Sequence, residues 1–266
     1  MNRVAVIGHV EWVDFLRVEH LPIRGEVQGA KREARHAGGG AVVAAVALTE
    51  LGAEVDFFCA VGRDDNGDAA VAELTDRGVT VHAARRAAPT RQVFTLLDRD
   101  GERTIITIGE RLAPAGGDDL DWGRLAQIDG VYLTAGDADA VRRGRDARVL
   151  VATPRIREGL DDPNTKLDAL VFSASDEHEV QWAQRLADQT RLMVATESER
   201  GGHWCGESEG RWSAATPSGP IRDSYGCGDA FAAGFTYGLA GGLPPGRAAE
   251  IGARCGADML TRVGAP

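Results

Sequence analysis

Lysine is nearly absent from this chain. Of its 30 basic residues only Lys31 and Lys166 are lysines, and the other 28 are arginines. A Walker A loop, G-x-x-x-x-G-K-[ST], needs a lysine to reach the terminal phosphates of a nucleotide. Neither Gln-Gly-Ala-Lys31-Arg-Glu nor Asn-Thr-Lys166-Leu-Asp fits that pattern, so P-loop chemistry is excluded. Cysteine is sparse as well. Cys59, Cys205, Cys227 and Cys255 lie far apart with no C-x-x-C pair, which argues against a zinc ribbon or a redox dithiol. Reduced thiols and a cytoplasmic location are the expectation. No apolar run approaches the ~20 residues a bilayer span requires, and the apolar stretch at 4–7 is too short for a signal peptide. The six histidines show no H-x-x-x-H spacing. Cations are outnumbered by 40 acidic residues, for a net charge of −10. That excludes a duplex-wrapping or polybasic membrane-surface protein, whose binding depends on clustered cations. Neither nucleic acid nor membrane is an expected partner.

What is present is an alternation of buried strands and helices, with glycine in excess at 34 residues. Short apolar runs at 3–7, 54–61, 79–83, 131–134, 149–152, 169–172 and 192–196 read as strands. Segments 41–51, 66–77, 181–186 and 230–239 read as helices, the first two stopped by Gly52 and Gly78. Strands separated by helices predict an α/β fold, with a mostly parallel sheet covered on both faces. Two stretches break the rhythm. Residues 14–36 and 91–108 alternate in polarity, and Asp-Arg-Asp-Gly-Glu-Arg at 98–103 reads as a hairpin turn. They predict a small antiparallel sheet projecting from the body as a lid. No linker divides residues 1–266, so a single domain is expected.

The chemistry concentrates in Asp223-Ser-Tyr-Gly-Cys-Gly-Asp229, which runs directly into the small-residue helix. Gly226 and Gly228 allow successive backbone N–H groups to turn towards one point as an anion-binding nest. The helix N-terminus adds unsatisfied N–H groups and partial positive charge. A carboxylate there, Asp229, can take a proton from an alcohol while the nest holds the phosphoryl group that the alcohol attacks. A bare G-x-G-D is more often only a capped helix, so the surroundings decide.

Those surroundings resemble the pfkB (ribokinase-like) carbohydrate kinases, whose C-terminal signature reads roughly D-T-x-G-A-G-D-x-F. Ser224 and Cys227 replace its threonine and alanine. Gly38-Gly39-Gly40 before a small-residue helix is similar to the family's N-terminal G-G signature. Residues 61–67, Val-Gly-Arg-Asp-Asp-Asn-Gly, are similar to its V-G-x-D-x-x-G turn. The 98–103 turn looks like its lid hairpin, and Thr261-Arg-Val-Gly-Ala265 its closing T-x-x-G-A. The resemblance implies a three-layer α/β/α kinase that uses ATP and Mg2+ to phosphorylate a hydroxymethyl group of a sugar, with a lid-to-lid homodimer. It assigns the catalytic base to Asp229 and the anion-hole amides to Gly226, Cys227 and Gly228. Sugar binding falls to Asp14, Gly38 and Gly39. Nucleotide contacts fall to Thr196, Ser198 and Gly201, and a monovalent-cation loop, a K+ site, to Asp223 and Ser224.

Departures from the family pattern bear on the substrate. Val43 stands where many sugar kinases of the family carry asparagine, and Gly40 where ribokinases carry lysine, which speaks against ribose itself. Ser198 replaces the first glycine of a T-x-G-x-x-G loop. The metal-associated N-x-x-E motif is reduced to Ser175 and His178, with Asp176, Glu177 and Glu179 as replacement carboxylates. Two other readings therefore stay open: a nucleoside kinase stacking its base on Trp12 or Phe15, and a non-catalytic ligand-binding relative.

Overall fold

The computed structural model describes residues 1–99, 103–162 and 164–264. In chain order the strands and helices are β1 (Arg3–Ile7), β2 (Glu11–Arg17), β3 (Lys31–Gly38), α1 (Gly40–Glu50), β4 (Glu54–Gly62), α2 (Asp65–Asp76), β5 (Thr80–Arg86), β6 (Gln92–Leu97), β7 (Arg103–Ile108), β8 (Gly130–Leu133), α3 (Ala138–Gly144), β9 (Val149–Ala152), β10 (Leu167–Ser173), α4 (Glu177–Arg185), β11 (Thr190–Thr196), β12 (Gly202–Gly206), β13 (Gly210–Trp212), α5 (Cys227–Ala240) and α6 (Pro245–Met259). Short 3-10 segments fill some of the connections.

Nine strands form the main sheet in the order β13-β12-β11-β10-β9-β8-β1-β4-β5. From β11 to β5 every pairing is parallel, and β12 and β13 add an antiparallel edge. Parallel strands covered on both faces must be apolar throughout. Residues 4–7 of β1 are accordingly all buried. One face packs on α1, α2, α5 and α6, the other on α3 and α4.

Helix α5 lies wholly within the first of these layers. Phe231 and Phe235 are almost fully buried, each contributing about 1.5–3 kcal/mol of apolar burial. A methyl group on Gly234 would come within 2.8 Å of Cys255 Sγ and 2.9 Å of Gly252 Cα, so α5 and α6 touch nearly backbone to backbone. The helix that carries Asp229 is thus anchored by core packing.

The smaller sheet has the order β3-β2-β6-β7. Its outer pairings are antiparallel, but the central β2–β6 pair is parallel, with Trp12 opposite Gln92 and Leu16 opposite Leu96. The lid is therefore mixed rather than purely antiparallel. The reason is topological: β2 follows β1 and β6 follows β5, two strands that run the same way in the main sheet, so both enter the lid in one direction. Residues 18–30 join β2 to β3 without strand structure. The hairpin turn read at 98–103 includes positions 100–102, which lie outside the described residues, as does Ala265 of the closing motif.

Candidate active site

In parallel α/β sheets, ligands collect beyond the carboxyl ends of the strands. Here those ends deliver His9 after β1, Thr134 after β8, Arg155 after β9 and Ser173 at the close of β10. Two helices point their N-termini at the same region. Gly39 caps α1 with φ 95°, and Gly226 caps α5 in the left-handed conformation with φ 76°. The two ends nearly touch: a methyl group on Gly40 would lie 2.5–2.6 Å from the Asp229 carboxylate atoms. The first-turn amides of an α-helix have no acceptor within the helix, so the amides around Gly228 and Asp229 are free to receive an anion. A methyl group on Gly228 would meet nothing within 4 Å, which leaves that side of the turn open.

Asp229 is 7% exposed. Its Oδ1 accepts from the Tyr132 hydroxyl at 3.0 Å, and its Oδ2 accepts from Arg155 Nη1 at 3.3 Å. Arg155 reaches further, with Nε donating to Glu179 Oε1 at 2.7 Å. The charge of Asp229, then that of Glu179, lifts the Arg155 pKa above its usual value, and burial followed by the same Asp229 charge raises that of Tyr132. Both donors therefore stay protonated.

A cavity of about 390 Å³ opens onto this carboxylate. Gly39, Ser224, Gly226, Cys227, Gly228 and Asp229 line it, together with Glu11, Arg91, Arg103, Arg111 and Arg155. Burial pushes the Cys227 thiol up to about 11, so at neutral pH this residue presents a neutral thiol, and its amide donates to the Ser224 carbonyl at 3.4 Å. Burial also depresses the pKa of His9, aided by the charges of Arg111, Arg91 and Arg155. A neutral ring can accept from Arg111 Nη2, which approaches Nδ1 to 2.8 Å. Arg111, among the described residues, donates its other hydrogen bond to the Thr134 carbonyl, at 3.4 Å. Among the described residues it has no carboxylate within ion-pair distance, and burial lowers its pKa. Arg91, by contrast, pairs with Glu11 at 3.4 Å.

A second cavity, of about 760 Å³, continues past Arg91, Arg111 and Arg155 to Arg157, Asp176 and Glu179. Asp176 caps α4 through Oδ1, which accepts from the amides of His178 and Glu179. Glu179 Oε2 accepts from Ser173 N at 2.8 Å. The carboxylates at this position are therefore Asp176 and Glu179, one residue later than a Ser175/His178 frame. Asp-x-x-Glu at a helix start is a capping pattern visible in the sequence itself.

Not every sequence-derived candidate comes to these cavities. Asp14 is 4% exposed and pairs with Arg32 Nε at 2.6 Å and Arg35 Nε at 3.5 Å. It lines neither cavity, and Glu11 is the β2 acid that does. Alternate strand residues face opposite sides, and Val13 and Phe15 pack inward with Tyr225, which turns Asp14 away. Gly38 lies beneath the site against Val13 and the Tyr225 hydroxyl. Thr196, Ser198 and Gly201 occupy the β11–β12 turn outside both cavities, beside β10, where Ala174 N donates to Thr196 O at 2.9 Å. Ser198 holds φ 54°, a left-handed backbone where the family loop has glycine. Asp223 sits behind the α5 turn, bonded to Arg103 Nη1 at 2.7 Å. Val43 is buried, and its methyls lie 2.8 Å from where a Gly226 side chain would begin. Phe15 is buried and Trp12 lines neither cavity, so the stacking residues of the nucleoside reading are withdrawn from the site. Sequence reasoning passed over Glu11, Arg91, Arg111, Tyr132 and Arg155. For Arg155 a signal existed, because it directly follows a buried strand.

Comparison with known proteins agrees with this geometry. The family model described as pfkB family carbohydrate kinase matches residues 1–164 and 163–266. An ATP-dependent ribose-1-phosphate kinase from Halopiger xanaduensis is 31% identical, over all of this chain and 94% of that protein. An acarbose 7(IV)-phosphotransferase from an Actinoplanes species is 30% identical, over 82% of this chain and 78% of that protein. Among solved structures, ribokinase from Thermotoga maritima superposes with a TM-score of 0.80 at 20% identity, covering 100% of this chain and 95% of that one. Adenosine kinase from Sinorhizobium meliloti gives 0.80 at 20% identity, covering 100% and 96%. Among the described residues no helix is long and apolar enough to cross a membrane. The chain belongs to the pfkB carbohydrate kinase family and is an ATP-dependent kinase of a sugar or nucleoside.

Proposed function

We propose that the acceptor is a sugar already carrying an anionic group, a sugar phosphate, and that a free hydroxymethyl group on it receives the γ-phosphoryl group of ATP. Arg111 carries this reading. Its guanidinium faces the cavity beside Asp229, with a neutral histidine and a carbonyl as its hydrogen-bond partners and no carboxylate paired to it among the described residues. A neutral pentose offers this cation only neutral acceptors, whereas a phosphate oxygen gives it a charge-assisted partner. The name of the Halopiger relative, a ribose-1-phosphate kinase, supports the same substrate class.

Asp229 takes the proton of the acceptor hydroxyl as its oxygen bonds to the γ-phosphorus and the bond to the β-phosphate oxygen breaks. Tyr132 and Arg155 hold the carboxylate in orientation, and the amides of the Gly226–Gly228 turn receive charge from the transferring group. Thr196, Ser198 and Gly201 contact the nucleoside half of ATP. Magnesium retains most of its waters and is held by one or two carboxylates plus substrate phosphates. Asp176 fits that need, since the α4 cap uses only its Oδ1, whereas both oxygens of Glu179 already accept, from Arg155 Nε and Ser173 N. The ion would supply neutralisation of phosphate charge. Glu11, Gly38 and Gly39 complete the sugar side. A lid-to-lid homodimer extends the reading, supported by the half-exposed Ile105, Ile106 and Ile108 of the edge strand β7, and four unpaired cysteines suit a reducing cytoplasm.

The test is ADP release with ribose 1-phosphate, ribose, glucose and adenosine as acceptors. A charge-assisted hydrogen bond of roughly 1.5–3 kcal/mol predicts a kcat/KM advantage of about 10- to 150-fold for the phosphorylated sugar over ribose. Arg111→Met should erase that advantage, and Asp229→Asn should lower kcat on every acceptor by about 10²–10⁴-fold. Ribose or adenosine turning over as well as ribose 1-phosphate would sink the phosphate reading.

A further inference from the structure

Asp223 already accepts three hydrogen bonds. Its Oδ1 accepts from Arg103 Nη1 at 2.7 Å and from Tyr225 N at 3.0 Å, and its Oδ2 accepts from Gly264 N at 2.9 Å. The side chain is only 5% exposed. An alkali cation needs a shell of oxygens with free lone pairs turned to one point. Here the donors themselves converge on the carboxylate, and one of them carries a full positive charge. The nearby carbonyl of Ser224 already accepts from Cys227 N at 3.4 Å. These residues do not fit the K+ that the family resemblance gives to this loop, because a second cation would have to sit against the first.

The guanidinium makes further contacts. Arg103 Cζ lies 5.5 Å from the centre of the Tyr225 ring, and the Tyr225 hydroxyl accepts from Gly39 N at 2.8 Å. One lid side chain therefore grips both residues flanking Ser224, and through Tyr225 it reaches the N-terminus of α1. Arg103 is the first residue of β7, so these contacts join the lid to the turn that carries Gly226 and Gly228.

We propose that Arg103 takes the place of the activating monovalent cation, so that the lid's own guanidinium sets the phosphoryl-binding turn and the enzyme works without K+. The turn is then ordered when β7 is docked, which ties lid position to the anion hole. Arg103 acts through Asp223 and Tyr225 and is a positioning residue. The inference rests on reading the Gly226–Gly228 turn as the phosphoryl site, and not on which acceptor is used.

Wild-type protein in KCl, NaCl and choline chloride at equal ionic strength is expected to show the same melting temperature and turnover rates within twofold. K+-specific stabilisation or activation of the wild type overturns the proposal. In Arg103→Ala, kcat should fall roughly tenfold, as for loss of one charge-assisted hydrogen bond. It should recover with added guanidinium chloride or KCl and not with choline chloride, and a K+-specific rise in melting temperature should appear. An alanine variant with wild-type kcat, or one rescued by neither cation, also overturns it. The melting comparison needs no acceptor, so it decides the matter even where the sugar-phosphate reading fails, and the wild-type arm stands where the variant does not fold.

Discussion

Replacing Gly226 by alanine tests the α5 turn with two separable penalties. The residue sits at φ 76°, ψ 0°, a left-handed conformation that costs an L-residue about 1–2 kcal/mol. The added methyl group would also stand 2.8 Å from both Cγ atoms of Val43, a buried side chain on α1. Overpacking of this kind costs about 1–3 kcal/mol, so Gly226→Ala should destabilise the protein by roughly 2–5 kcal/mol in all. Val43→Ala alone removes two buried methyl groups, for about 1.5–2.5 kcal/mol. In the double variant the overlap disappears and the new methyl group partly fills the space, while the backbone strain persists. The double variant should then be more stable than the sum of the singles by about 1–3 kcal/mol. Urea denaturation of the four proteins measures this, provided the m-values agree. The turnover number should not recover in step, because the residual strain still displaces the amides around Gly228. Additivity within about 0.5 kcal/mol would refute the claim that Val43 buttresses the turn.

Ser198 occupies a left-handed backbone conformation at φ 54°. Ser198→Gly should relieve more strain than it costs in chain entropy, raising stability by about 0.5–1 kcal/mol and the melting temperature by a few degrees. His9 gives a pH signature. Its folded pKa lies well below the 6.5 of a free histidine, through burial and then the charges of Arg111, Arg91 and Arg155. The unfolded chain therefore binds a proton below about pH 6.5 that the folded chain refuses. The stability from this group is complete above that pH and is lost as pH falls further, by up to about 1.4 kcal/mol per unit. His9→Gln keeps an acceptor for Arg111 and should flatten the difference between denaturation curves at pH 7 and pH 5. An unchanged slope would show that His9 takes up its proton in the folded protein.

Much of the fold is written in local pattern, whereas half of the site is written in topology. Strand 149–152 is legible as a compact apolar run between Arg148 and Thr153, and the α5 segment as a small-residue run with glycine at its edges. The Gly226–Asp229 turn is legible because its anion-binding chemistry is contiguous. Arg91, Arg111 and Arg155 are not, since each is one arginine among 28, and they meet only after β6, β7 and β9 have been placed. Asp14 and Glu11 differ by three positions, an odd spacing that puts them on opposite faces of β2. The choice between them depends on which face the lid turns inward, and the burial of Val13 and Phe15 decides it. Helix α6 opens with Pro244-Pro245-Gly246, a sequence that reads as a turn. The prolines are tolerated there because the first helical position needs no N–H, and the run of small residues behind them makes sense only against the equally small surface of α5.

The scarcity of lysine acquires a physical meaning at Arg111 and Arg155. At Arg111, partial desolvation and the charges of Arg91 and Arg155 disfavour a cation, so a lysine there would shed its charge more readily than a guanidinium. A guanidinium starts far above neutrality and keeps its proton even where desolvation lowers its pKa, as at Arg111. It also presents several donors in one plane. Arg155 can therefore hold Asp229 and Glu179 at once, and Arg103 can hold Asp223 while lying across the Tyr225 ring. Lys31 and Lys166, both exposed, contribute to neither cavity. An anion site built from backbone amides and arginines needs no mobile lysine, and on the reading of Arg103 given above it needs no alkali cation either. The same substitution of guanidinium for a smaller cation then explains both what the sequence lacks and how the lid is held to the turn beneath it.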